Sequence, residues 1–147
     1  ASQAWDTHGN NDRKHRDELC PSFDRTYTVL LDDLQERGLL ETTVVLVLGE
    51  FGRTADLNFS KGRDHWPECW SVTLTGGGIQ GGQVIGASDE RGAYVADRLI
   101  SIGDVHATTY KAMGIDWHKE YMHPVGRSVK IANALNDQTG QPIPELI

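Results

Sequence analysis

The sequence predicts an α/β fold, in which helices flank a sheet, on the basis of three segments. Residues 42–48 form an apolar, β-branched run that is typical of a strand buried on both faces. Residues 13–37 repeat apolar side chains at three- and four-residue steps, which indicates an amphipathic helix before that strand. Ser101 and Asp104 have capping-box spacing and predict the start of another helix. A helix that leads into a buried strand is half of a βαβ unit, so an upstream parallel strand is expected.

The first helix has an apolar stripe and a defined end. Gly38 is expected to end it in a left-handed conformation, and Arg37 lies in the last turn, where a cation complements the helix dipole. The stripe consists of six side chains at helical spacing: Leu19, Phe23, Tyr27, Leu30, Leu31 and Leu34.

Composition and charge disfavour several classes of protein. The 147 residues are 38% hydrophobic and 24% charged, which is ordinary for a soluble domain with a core of its own. A net charge of −7 without a basic block disfavours nucleic acid and anionic membranes as partners. No run approaches the roughly 18 apolar residues of a membrane span, and no signal peptide opens the chain. Cys20 and Cys69 form neither a disulfide scaffold nor a CxxC knuckle. Because the chain starts without Met in a polar cluster, we expect it to be a piece of a longer protein.

The second half of the chain predicts short strands around a glycine-rich connection. Strands are expected at residues 71–75 and 83–87, so the glycines of residues 76–82 would form a hairpin or bulged connection. They match the dinucleotide-binding pattern G-x-G-x-x-G, but no helix is predicted to follow, so NAD binding is not expected. A strand or loop is expected near residues 93–96 and a late edge strand at residues 126–131. Three polar tail residues fit no single helical face and are expected to be ordinary surface residues: His118, Glu120 and His123.

Three loop segments carry residue types that bind divalent cations. Asp6 and His8 are two residues apart, so in extended backbone their side chains face the same way. Asp64 and His65 are adjacent, and Glu50 follows the central strand, where open α/β sheets build their sites. Carboxylates and imidazoles are ordinary Zn²⁺ ligands, and carboxylates alone also suit Ca²⁺. Each group by itself is also explained as part of an ordinary turn, and for the Asp64–His65 pair alone this is the favoured interpretation.

Two arginines and an asparagine lie beside these clusters. Arg53 and Arg63 each carry a guanidinium that can bind an oxyanion through two parallel hydrogen bonds. The alternative for Arg53 is an ion pair with Glu50 within an ordinary turn. Asn58 begins the sequon Asn-Phe-Ser, which matters only if the chain is made in a glycosylating secretory pathway.

Taken in order, the motifs resemble one bacterial family. They are W-D-T-H-G-N-N, a helix ending E-R-G-L-L, V-V-L-V-L-G-E-F-G-R-T, G-R-D-H-W-P, G-G-G-I-Q-G-G and D-V-H-A-T-T-Y-K-A-M-G-I-D. From Trp5 to about Ile131 the chain is similar to the carboxyl-terminal part of the DUF1501 proteins, which are common in planctomycetes. Those proteins in turn resemble the sulfatase and alkaline phosphatase superfamily. The resemblance implies the trailing part of an alkaline phosphatase-like sheet flanked by helices. It also implies a single, incomplete domain over residues 1–147 and a periplasmic or secreted location.

The same resemblance implies a site for one or two divalent ions, Zn²⁺ or Ca²⁺. Glu50 stands where the superfamily has the Asp of a metal-binding Asp-His pair, and Phe51 stands where it has the His. One metal contact is therefore missing or supplied from elsewhere. The residues implied as metal ligands are Asp6, His8, Glu50, Asp64 and His65, and those implied to bind an oxyanion are Arg53 and Arg63.

The expected function is that of a metal-dependent hydrolase-like domain acting on phosphate or sulfate esters of small molecules or glycans. In the superfamily the nucleophile is a Ser, Thr or modified Cys near the start of the domain. It is expected upstream of Ala1, so the chain alone is expected to be incomplete. The alternative is a non-catalytic, metal-containing member of the same fold that binds a glycan or a partner protein. Phe51 in place of a ligand favours this alternative.

Overall fold

A computed structural model describes residues 5–147 and shows a mixture of helices and short strands. The helical segments are α1 Asn11–Lys14, a π-helical stretch His15–Leu19, α2 Cys20–Glu36 and α3 Ile102–Ala112, with single 3-10 turns at Leu40–Thr42 and Leu135–Asp137. The strands are β1 Val44–Val47, β2 Gly52–Arg53, β3 His65–Trp66, β4 Thr73–Gly76, β5 Ala87–Ser88, β6 Val95–Asp97, β7 Glu120–Met122 and β8 Ser128–Lys130. Within these residues, no helix combines the length and the apolar character needed to cross a membrane.

The strands pair two by two: β1 with β4, β2 with β3, β5 with β6, and β7 with β8. The last three pairs are antiparallel. Gly77 N donates to Thr43 O over 2.9 Å, so the end of β4 lies beside the beginning of β1, as in an antiparallel pair. The mixture of helix and strand agrees with the predicted α/β class. An alkaline phosphatase-like sheet is not seen among these pairs.

The described residues fold into two compact units. The first comprises the described residues up to Leu40 together with Val47–Val72 and Ala87–Asp97, and the second comprises Glu41–Leu46, Thr73–Gly86 and Arg98–Ile147. Buried side chains in the first unit are small or polar: Thr7, Asn11 and Ala93. Three of those in the second unit belong to α3, and the other two come later in the chain: Val105, Ala107, Thr108, Ala132 and Ile143. The single domain expected over residues 1–147 stays a prediction, since two compact units can belong to one domain.

The strand β1 is half-buried, so the prediction that both of its faces are covered is wrong for these residues. All four of its side chains have intermediate exposure, and Leu48 just after it is exposed. The reason is the pairing, because a two-stranded sheet leaves one edge and part of each face uncovered. The strand also starts at Val44 instead of Thr42, since Leu40–Thr42 forms a 3-10 turn.

The first helical run extends from Asn11 to Glu36, close to the predicted residues 13–37. Gly38 has a φ of +67°, and Leu39 N donates to Leu34 O over 2.8 Å, which are the features of a Schellman end. The π-helical turn was not predicted, because one widened turn barely alters a hydrophobic period. No residue of α2 is buried, so the predicted apolar stripe remains partly exposed in this structure.

The later strands agree with the predictions in part. Predicted strands near residues 71–75, 93–96 and 126–131 correspond to β4, β6 and β8. The strand predicted at residues 83–87 is wrong, because only Ala87–Ser88 is extended and it pairs with β6. Positive φ angles at Gly76, Gly78 and Gly82 turn the backbone out of a strand path and make this stretch an irregular connection.

The capping box at the start of α3 is confirmed. Ser101 Oγ accepts a hydrogen bond from Asp104 N over 3.1 Å, and Asp104 Oδ2 accepts one from Ser101 N over 2.8 Å. These two bonds satisfy amide groups that have no partner inside the helix. The helix gives way to Gly114, whose φ is +71°.

Replacing Ser101 with alanine is expected to lower the free energy of unfolding by about 1 kcal/mol, because it removes one half of the capping box. Urea denaturation followed by circular dichroism measures the change. Ser71→Ala is the control, since Ser71 is exposed and outside every helix and strand, and it should stay within about 0.5 kcal/mol of the original protein. Equal losses in the two variants would contradict the capping role.

Candidate metal centre

Two loop segments of the first unit meet along their backbones. Asn10 N donates to Ser60 O over 3.0 Å, and Asn11 N donates to Lys61 O over 2.9 Å. The contact is close because Gly62 has no side chain: a Cβ there would lie 2.0 Å from the carbonyl carbon and oxygen of His8. Residues 6–11 are thereby fixed against residues 58–63.

Hydrogen bonds to two buried polar residues and a strand pair complete the scaffold. Thr7 is fully buried; Asn11 Nδ2 donates to its hydroxyl over 2.5 Å, and Arg63 N donates to its carbonyl over 3.2 Å. The pairing of β2 with β3 sets Arg53 opposite His65. Together, the docking of residues 6–11 on residues 58–63 and the pairing of β2 with β3 bring the side chains of residues 6 and 8 close to that of residue 65.

The centre of the site is a triangle of three ligand-type atoms. Asp6 Oδ1 lies 3.0 Å from His8 Nε2 and 3.0 Å from His65 Nε2, and the two imidazole nitrogens lie 3.2 Å apart. The side chains are partly open to solvent, with exposed fractions of 37% for Asp6, 45% for His8 and 49% for His65. We call these three atoms the Asp6–His8–His65 triangle.

The dimensions of the triangle match those of ligands around one cation. Atoms that bind an ion at about 2.0–2.1 Å lie about 2.8–3.0 Å from each other in octahedral geometry and about 3.3–3.4 Å in tetrahedral geometry. Two Nε2 atoms at 3.2 Å can share at most one proton between them, whereas an ion can accept both lone pairs. The arrangement can thus hold a divalent cation through one oxygen and two nitrogens.

Arg53 holds the carboxylate corner of the triangle. Its Nη2 donates to Asp6 Oδ1 over 2.7 Å and to Trp5 O over 3.2 Å, and its Nη1 donates to Arg63 O over 3.3 Å. Hydrogen bonds from His65 and then from Arg53 lower the pKa of Asp6 to about 2. Asp6 is therefore ionised across the physiological range, as a metal ligand must be.

Asp64 lies on the other side of the His8 ring. Its Oδ1 is 2.7 Å from His8 Nδ1 and accepts a hydrogen bond from Asn58 Nδ2 over 3.1 Å. The bond to His8, with a further contribution from Asn58, lowers the pKa of Asp64 below its ordinary value. Asp64 is thus close to the triangle without having a position in it.

A comparison with known proteins assigns the family. The family model described as "Protein of unknown function (DUF1501)" matches residues 1–147. The chain belongs to the DUF1501 family. No curated protein and no solved structure matches the chain. The predicted DUF1501 membership is confirmed, and the more distant likeness to sulfatases and alkaline phosphatases stays a prediction.

The remaining predicted site residues of this DUF1501 chain lie around the triangle. Glu50 is exposed in the bend after β1 and has no position in the triangle. Arg63 Nη1 donates to Thr54 O over 2.8 Å and to Ala55 O over 2.6 Å, so its guanidinium supports the loop. An oxyanion-binding role for Arg53 and Arg63 stays a prediction, as does a ligand role for Glu50.

Sequence reasoning did not find two residues that shape the DUF1501 site. From the sequence, Asn58 was considered only as the first residue of a sequon. Its Oδ1 accepts hydrogen bonds from Ser60 N and Gly62 N, both over 2.9 Å. An Asn two residues before a Ser and four before a Gly is typical of a turn held by the Asn side chain, so this spacing could have predicted the role of Asn58. Phe51, considered only as a missing ligand, packs its ring 4.2 Å from that of His65.

Proposed function

We propose that this DUF1501 chain is a metal-dependent hydrolase domain that acts on phosphate or sulfate esters. The observation that carries the proposal is the Asp6–His8–His65 triangle, with its three edges of 3.0, 3.0 and 3.2 Å. Within residues 5–147 this is the one group of three or more His, Cys, Asp or Glu side chains placed to hold an ion. We therefore assign one ion to each chain.

The donor set favours zinc over calcium. One carboxylate oxygen and two imidazole nitrogens are ordinary ligands of Zn²⁺ and of other transition-metal ions. Ca²⁺ prefers six to eight oxygen ligands, and two of the three atoms here are nitrogens. Three protein ligands also leave at least one coordination position open, which distinguishes catalytic zinc sites from closed structural ones.

A bound divalent cation would supply a Lewis acid that polarises an ester oxygen. The chain's own residues prepare the site for that role. Arg53 keeps Asp6 ionised and in place, and Phe51 covers one face of the His65 ring. The partial exposure of all three ligand side chains leaves room for an ester to approach. The choice of phosphate or sulfate esters rests on the resemblance of the motifs to sulfatases and alkaline phosphatases.

Two hydroxyl groups near the triangle are engaged in hydrogen bonds. The Thr7 hydroxyl is buried and accepts from Asn11, and the Thr54 hydroxyl donates to Asp56 O over 2.9 Å. A nucleophile needs an accessible oxygen and an adjacent base. We therefore assign the nucleophilic role to a group other than Thr7 or Thr54.

A non-catalytic metal protein is the second candidate. Phe51 favours it, because a side chain that cannot bind metal or transfer protons packs directly on a ligand ring, at 4.2 Å from His65. Such a protein would bind the ion without turning over esters, and a glycan or a protein would be its ligand. The two candidates share the triangle and differ in turnover.

The natural protein that carries this sequence is expected to bind about one Zn²⁺ per chain, because three protein ligands converge on one point. Titration against a chromophoric chelator measures the stoichiometry, and turnover of p-nitrophenyl phosphate and p-nitrophenyl sulfate separates the two candidates. His8→Ala should lose binding. His118→Ala is the matched control, since Asp116 and His118 repeat the Asp-x-His spacing with a 3.0 Å contact but lie outside the triangle.

The outcomes of these measurements separate the two candidates and also test the metal centre itself. Binding with turnover of either ester supports the hydrolase. Binding without turnover supports the non-catalytic member. The metal centre itself would be refuted if the unsubstituted protein takes up no Zn²⁺. It would also be refuted if His8→Ala and His118→Ala lose binding equally.

A further inference from the structure

We propose that Asp64 and Asn58 are positioning residues that hold the His8 ring with the lone pair of its Nε2 directed into the triangle. This inference rests on the proposed function, because it concerns how the chain prepares one ligand of the ion. It differs from the expectation based on sequence, in which Asp64 is itself a ligand.

The two ring nitrogens of His8 have different partners. A neutral imidazole carries one proton, and only the nitrogen without it can bind a cation. His8 Nδ1 lies 2.7 Å from Asp64 Oδ1, whereas Nε2 lies 3.0 Å from Asp6 Oδ1 and 3.2 Å from His65 Nε2. Both nitrogens face a carboxylate oxygen, which can only accept, and the contact with Asp64 is 0.3 Å shorter than the contact with Asp6 (2.7 against 3.0 Å), so the single proton of the neutral ring belongs on Nδ1. The lone pair is then on Nε2, the atom in the triangle.

The position of Asp64 excludes it from the same ion's ligands. The two nitrogens of an imidazole face away from each other, so an oxygen at Nδ1 is on the opposite side of the ring from the triangle. A carboxylate that accepts from the second nitrogen of a ligating His is a common partner in metal sites. It fixes the tautomer and the ring orientation and raises the basicity of the ligating nitrogen.

Asn58 in turn holds both Asp64 and His8. Its Nδ2 donates to Asp64 Oδ1 over 3.1 Å and to His8 O over 3.2 Å. Its Oδ1 accepts from Ser60 N and Gly62 N, which fixes the amide orientation. One side chain therefore connects the loop of Asp64 to the backbone of His8. Because Nδ2 is engaged in this way, glycosylation at this sequon would break both contacts.

The first experiment measures Zn²⁺ affinity in variants of Asp64. Asp64→Ala should weaken binding about 10- to 100-fold, the usual effect of losing a partner behind a ligating His. Asp64→Asn keeps a carbonyl oxygen at the same place and should recover part of the loss, since a neutral acceptor makes a weaker bond than a carboxylate. Asp56→Ala is the matched control, because Asp56 is an exposed Asp of the same loop, and it should bind as tightly as the original protein. Wild-type affinity in Asp64→Ala would overturn the proposal.

The second experiment asks whether Asp64 touches the ion. With Co²⁺ as the probe, Asp64→Ala should show the same visible absorption bands as the original protein, because the ligand atoms are unchanged. The comparison is made at Co²⁺ concentrations that saturate both proteins, and displacement of the bands there would identify Asp64 as a ligand and overturn the positioning role. Asp64→Asn provides the same comparison if the alanine variant does not fold, as judged by circular dichroism.

The third experiment needs no metal and therefore separates this inference from the proposed function. Nitrogen-15 NMR of the metal-free protein at neutral pH should place the His8 proton on Nδ1, and Asp64→Ala should remove that preference. A proton on Nε2 in the original protein overturns the inference, whether or not the ion binds. Absence of Zn²⁺ binding together with a proton on Nδ1 would instead refute the proposed function alone.

Discussion

Replacing His65 with alanine is expected to abolish metal binding and any ester turnover, while the fold remains intact. The substitution removes two of the three edges of the triangle and leaves Asp6 and His8 as the only corner atoms. Loss of a partner that merely orients a ligand already costs about 10- to 100-fold in affinity, so loss of a ligand should exceed about 100-fold. The free energy of unfolding should change by less than about 1 kcal/mol, because His65 is exposed and its ion pair with Asp6 is solvated.

The measurement combines Zn²⁺ competition titration with urea denaturation of the same samples. His123→Ala is the control, since His123 is an exposed His outside the triangle and should retain full affinity. A His65→Ala protein that binds Zn²⁺ as the original does would show that the triangle is an ordinary polar cluster. A variant that has lost both binding and stability would show that His65 supports the fold.

Replacing Gly62 with alanine is expected to lower the stability of the protein strongly. The added Cβ would lie 2.0 Å from the carbonyl carbon and oxygen of His8 and 2.4 Å from Gly9 N. All three are backbone atoms, so no side-chain rotation can relieve the contact, and the two loop segments must move apart. Overpacking typically costs 1–3 kcal/mol, and a clash with backbone should reach about 3 kcal/mol or more. Metal affinity should fall with stability, because His8 moves with its backbone.

Gly81→Ala is the matched control for this substitution. A Cβ at Gly81 meets nothing within 4 Å, and its backbone is not left-handed, so the free energy of unfolding should change by less than about 0.5 kcal/mol. Denaturant unfolding of the two variants side by side provides the comparison. If Gly62→Ala were as stable as Gly81→Ala, the close approach of the two segments would not exist in solution.

The features that the sequence predicted well depend on neighbouring residues. The capping box needs only Ser101 and Asp104, and the end of the first helix needs only Gly38 and the turn before it. Both are encoded within four or five residues, so a local pattern is sufficient. The burial of β1 was mispredicted for the opposite reason. An apolar run shows that a strand can be covered, but the number of neighbouring strands depends on distant parts of the chain.

The candidate site also combines features that a local pattern predicts with features that depend on distant parts of the chain. Residue types alone brought Asp6, His8 and His65 into consideration, because carboxylate and imidazole are metal-binding chemistry in any fold. They equally brought in Glu50 and Asp64, which lie outside the triangle. Telling these groups apart requires the distances between loops that are far apart in sequence. The contact of Asn58 with His8 O was hidden for the same reason, since these two residues lie 50 positions apart.

The docking of two segments that are distant in sequence also sets the order in which parts of the protein can fold. His8 and His65 are separated by 57 positions, and closing a flexible loop of that length costs roughly 3.5 kcal/mol of chain entropy beyond a constant. The helix that begins at Ile102 needs no such closure, because its starting contacts span three residues. During refolding, helical structure should therefore appear on a faster timescale than the triangle, which forms only when residues 58–65 have docked against residues 6–11.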